Sequence, residues 1–99
     1  MTRADLDAAL GSVGAIGARI CPDPPDPWRQ GFEAVLEAIR NADGLELEPF
    51  DGLERVAAQL RGNYNQSAED YRAGARRAVH ELRVLFMAAI AAPPSSRTA

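Results

Sequence analysis

The sequence predicts an all-α fold: a small bundle of three strong helices and a weaker N-terminal one, organised around a long C-terminal helix. Three observations predict it. From Ser67 to Ala92 the apolar residues hold helical spacing throughout. Trp28 to Arg40 separates an apolar face from a charged one. The one short alternation, Leu45-Glu46-Leu47-Glu48, has no evident partner strand, so it reads as an extended link with Leu45 and Leu47 pointing inward.

Residues 1–21 are expected as a weak helix or an N-terminal arm. Thr2-Arg3-Ala4-Asp5 fits a capping box, and Leu6, Leu10, Val13, Gly17 and Ile20 follow at helical spacing. Against this, Gly11, Gly14 and Gly17 each cost roughly 1 kcal/mol relative to alanine. The segment therefore needs a partner, and its glycines offer a small-residue face for close approach. Residues 22–27 form a connector. Four prolines between Cys21 and Pro27 forbid a helix and favour extended backbone.

The core domain is expected over residues 28–92. Asp26 supplies an N-cap and Pro27 the first helical position for a helix whose inner face is Trp28, Phe32, Val35, Leu36 and Ile39. Asn41-Ala42-Asp43-Gly44 stops it. A further helix starts at Pro49 or Asp51, turns Phe50, Leu53, Val56, Ala57 and Leu60 inward, and ends at Gly62-Asn63.

Ser67-Ala68-Glu69-Asp70 then caps the organising helix, whose stripe is Tyr71, Ala75, Ala78, Leu82, Leu85 and Ala89, widened by Val79 and Phe86. Arg72, Arg76, His80 and Arg83 form a second row beside that stripe with no acid among them. Beyond Arg83 the helix is apolar on every face, which calls for enclosure by its own domain or by a second copy. Pro93-Pro94 stops the helix, and residues 93–99 are expected as a flexible tail.

One short similarity recurs at an offset of 43 residues: Trp28-Arg29-x-Gly31 and Tyr71-Arg72-x-Gly74, each continuing to an apolar-Arg pair, Ile39-Arg40 and Leu82-Arg83. Duplicated helical hairpins would produce it, and chance in a chain rich in alanine and arginine explains it more simply. Physically, an aromatic anchors each first turn and the glycine beyond it admits another backbone.

Composition narrows the function classes. A chain of 99 residues makes one domain with a modest core and little room for a lidded active site. The net charge of −3 opposes dominant electrostatic binding to nucleic acid. All 11 basic residues are arginine, a pattern of GC-rich coding that predicts a bacterial or phage source. Acids at Asp5 and Asp7 and the lack of a continuous apolar run predict no secretion signal, leaving a cytoplasmic location as the expectation.

No catalytic constellation, metal site or cofactor site is predicted. The single cysteine and single histidine, Cys21 and His80, share no signature spacing, and the glycines follow no strand and no P-loop lysine accompanies them. Glu48-x-x-Asp51 matches half of the acid pattern of the helical nucleotide pyrophosphohydrolases, but Pro49 interrupts it and no upstream E-x-x-E completes it.

Two resemblances come from motifs. The length, acidity and a tryptophan near a glycine are similar to the WXG100 class of secreted helical hairpins. Trp28-Arg29-Gln30-Gly31 is one residue too long, and no C-terminal Y-x-x-x-D/E signal accompanies it, so that function does not carry over. Leu53 to Arg61 followed by the organising helix resembles a helix-turn-helix, which implies DNA facing Arg72, Arg76 and Arg77, although the intervening turn exceeds the usual three or four residues.

The expectation is a non-catalytic protein-binding or self-associating accessory module. Arg72, Arg76, His80 and Arg83 are the candidate contacts for an acidic protein partner. Val84, Phe86, Met87 and Ile90 are the candidates for a homodimer contact. DNA binding by the arginine row is the alternative, and no membrane association is expected.

Overall fold

The glycine-bearing N-terminal segment is a full helix. In a computed structural model, which describes residues 2–45, 47–63 and 69–91 without the side chains of residues 61–63, α1 runs over Arg3–Ile20. The expected Ser67 cap, the turn leading to it, the Pro93-Pro94 stop and the C-terminal tail lie outside the described residues. The capping box at the start of α1 is complete: the Asp5 amide donates to the Thr2 hydroxyl at 3.0 Å and the Thr2 amide to the Asp5 carboxylate at 3.1 Å. Leu6, Ala9, Leu10, Val13 and Gly17 are buried, which supplies the partner that the glycines require.

Helix α2 runs over Pro27–Asn41. Asp26 accepts from the Trp28 amide at 2.9 Å, and Pro27 occupies the first turn. The connector before it is a turn rather than an extended strap. The Asp26 amide donates to the Asp23 carbonyl at 3.1 Å, so Pro24 takes the first central position of the turn, where its fixed φ favours chain reversal.

The link to α3 also differs from expectation. Amides of Leu47 and Glu48 both donate to the Gly44 carbonyl, at 3.1 and 3.2 Å, and Gly44 has φ of 80°. A turn of this kind breaks the two-residue alternation of an extended link. Leu45 is therefore fully buried while Leu47 is 84% exposed. Helix α3 runs over Pro49–Asn63 and α4 over Glu69–Ala91.

The four helices form an all-α bundle around one apolar cluster, with no strand among the described residues. Its central pair is α2 and α4. A Cβ on Gly31 would stand 1.9 Å from the Tyr71 carbonyl oxygen, and one on Gly74 would stand 1.9 Å from that of Trp28. Each glycine thus admits the backbone opposite, and the crossing is reciprocal. Helix α1 packs on one flank of this pair and α3 on the other, without reaching each other among the described residues.

The 43-residue recurrence coincides with a matching pattern of burial. Buried Leu6, Ala9, Leu10 and Val13 of α1 correspond in order to buried Pro49, Gly52, Leu53 and Val56 of α3. Gly31, Phe32, Val35 and Ile39 of α2 correspond to Gly74, Ala75, Ala78 and Leu82 of α4, again all buried. The bundle is a helical hairpin, α1 with α2, followed by a second of the same plan, α3 with α4. No helix among the described residues is long and apolar enough to cross a membrane.

Candidate functional site

The basic row of α4 borders a groove. Between α3 and α4 lies a cavity of about 340 Å³ with Val35, Ala57, Leu60, Ala75 and Val79 as its apolar lining. Arg72, Arg76, His80 and Arg83 supply the polar wall, and Glu54 faces them from α3. Sequence spacing brought the four basic residues onto one helix face. The acid and the apolar floor depend on which neighbours α4 meets.

Helices α3 and α4 run antiparallel. Phe50 near the start of α3 meets Phe86 near the end of α4, edge to face with centroids 6.4 Å apart. One turn further along α3, Glu54 forms an ion pair with Arg83. Such a side-by-side course differs from the steep crossing of a helix-turn-helix. Of the arginines assigned to that motif, Arg77 is tied to Glu81 at 2.8 Å.

The four basic residues have unequal roles. Arg83 is half-buried and held by Glu54. Arg72, Arg76 and His80 are exposed, and Arg72 and Arg76 have no ion-pair partner among the described residues. Two guanidinium groups one turn apart above an apolar floor concentrate positive potential where a ligand would lose water.

The four apolar candidates also divide. Phe86 is fully buried, a core residue between α4 and Phe50, so it leaves the set of surface contacts. Its place on the α4 stripe faces the domain's own interior. Val84, Met87 and Ile90 are exposed by 49, 55 and 53%. Ile90 lies about five turns beyond Arg72, so the basic row and the apolar end occupy one continuous outward face of α4.

Sequence reasoning missed Leu47. Its exposure rests on the Gly44 turn, for which the Asp43-Gly44 pair was the available signal. Among the described residues no three histidine, cysteine or acidic side chains converge as a metal site would require. Comparison with known proteins finds no family model, no curated protein and no solved structure that matches this chain.

Proposed function

We propose that this chain is a non-catalytic protein-binding module whose α3/α4 groove takes an acidic segment of a partner protein. The observation that carries this is the pairing of exposed Arg72 and Arg76 with an adjoining apolar floor. Carboxylates of the segment meet the guanidinium groups, and an apolar side chain between them enters the groove. Self-association through Val84, Met87 and Ile90 is the second part of the reading, supported by their contiguous exposure at the end of the same face.

A glutamate-rich helical peptide with two leucines one turn apart is the probe, titrated by fluorescence anisotropy. It should bind, and Arg72→Glu with Arg76→Glu should weaken binding by roughly tenfold or more, about 1.4 kcal/mol. A glutamine-for-glutamate peptide should bind weakly. Equal binding of both peptides, or stronger binding of duplex DNA with a steep loss in salt, would reject the acidic-segment reading. Met87→Glu should lower the solution mass of any oligomer built on the apolar end.

A further inference from the structure

We infer that the groove's occupant is a second copy of this chain, in a two-fold dimer whose outward α4 faces run antiparallel. The inference rests on the reading of the groove as a site for an acidic segment with an apolar anchor. Such a segment exists on the protein's own surface. Leu47 is 84% exposed, and Glu48 and Asp51 beside it are exposed acids with no ion-pair partner among the described residues.

The place of that segment makes the surface self-complementary. Phe50 packs on Phe86, so the start of α3, with exposed Leu47, Glu48 and Asp51, lies level with the C-terminal end of α4, where Val84, Met87 and Ile90 are exposed. Along α4 the surface is therefore basic and grooved in the first half and apolar in the second, with Glu48 and Asp51 of α3 at the level of that second half. Arg76 and Met87 are separated by about 16 Å of helix. Repeating this face on itself in parallel would set arginine against arginine.

Turning the second copy antiparallel sets each basic half over the other copy's second half, at the level of its Glu48 and Asp51. The contact then occurs twice, with Val84 near the axis, as an isologous interface requires. Leu47 of each copy supplies the anchor for the other's groove. Burying the groove and the apolar end together joins two surfaces that would otherwise be separate small patches. Charge pairing at both ends makes the association sensitive to salt.

Sedimentation and light scattering of the full chain across concentration test this directly. The parent should be a dimer that weakens as salt is raised. Arg76→Glu and Asp51→Arg should each weaken it by roughly tenfold or more, by setting like charges together at both contacts. An equimolar mixture of the two variants should regain parental affinity, because every contact in the mixed dimer again pairs opposite charges.

Both side chains are exposed, and circular dichroism melting checks that the variants fold; Arg72→Glu with Glu48→Arg is the second pair. A monomer at every concentration would overturn the inference. So would a dimer indifferent to both variants, or two weakened variants that fail to recover on mixing. The peptide titration separates this from the groove reading. Arg76→Glu should weaken peptide capture, whereas Asp51→Arg should spare it in a monomer and raise it where a second copy had filled the groove.

Discussion

In the first hairpin the ring of Phe32 lies against Gly17 and a Leu36 methyl group against Gly14; at the corresponding places the second hairpin has Ala75 with Leu60 and Val79 with Ala57. Large side chains on α2 fill the space over glycines on α1. In the second pair α3 has Ala57 and Leu60 where α1 has glycines, and the groove lies between α3 and α4. Charge follows the same division. Arg29, Glu33, Glu37 and Arg40 balance on α2, where α4 has Arg72, Arg76, His80 and Arg83. One plan used twice gives a first hairpin with balanced charge on α2 and a second with a groove bordered by the basic row of α4.

The symmetry of the central crossing is the feature most open to attack. Gly31→Ala and Gly74→Ala each place a Cβ 1.9 Å from a carbonyl oxygen, a backbone clash that rotamer changes cannot relieve. Each should destabilise by about 3 kcal/mol or more in urea unfolding. Because both glycines serve one approach, the double variant should cost much less than the two single costs added together. Additive losses would mean that the two glycines act independently and that the crossing is not reciprocal.

The legibility of this fold tracked how local each cause was. Helix α2 could be read from Asp26, Pro27 and one apolar face because cap, first turn and stripe all lie within it. The α1 glycines pulled the other way: propensity argued for a weak helix, while burial against Phe32 decided for a complete one. Leu47 was misread because two hydrogen bonds to Gly44 override the alternation of four residues. The arginine row was legible as a face, but its groove was not, since Val35, Glu54 and Leu60 reach it from two other helices. Phe86 stands both on the inward stripe and among the self-association contacts in the sequence reading, because an all-round apolar helix end does not mark which side its own domain covers.

Within α1 the glycines should separate by what stands over them. Gly17→Ala would bring a Cβ to 2.5 Å from the Phe32 ring, so it should destabilise by about 2 kcal/mol as the ring is displaced. Gly11 is exposed with nothing within 4 Å of an added Cβ, so Gly11→Ala should stabilise by about 1 kcal/mol through helix propensity alone. Opposite signs in chemical denaturation would confirm that the first hairpin depends on one glycine and tolerates replacement of the other. A loss at Gly11 would show that α1 is held in place by its exposed face as well.

The smallest effect on stability should come from the matched arginines, and it discriminates most sharply between the halves. Arg29 donates to Glu33 and to the Cys21 carbonyl, both at 2.9 Å, and so ties the connector to α2. Arg29→Ala should cost about 1 kcal/mol, since a charge-assisted bond to a loop carbonyl is lost from a half-buried side chain. Its counterpart Arg72 is exposed, so Arg72→Ala should leave stability within about 0.5 kcal/mol. In peptide capture the order should reverse, with Arg72→Ala weakening binding and Arg29→Ala leaving it intact. If both arginines affected stability alike and neither affected capture, the second hairpin would be a structural copy of the first, and the groove would have no docking role.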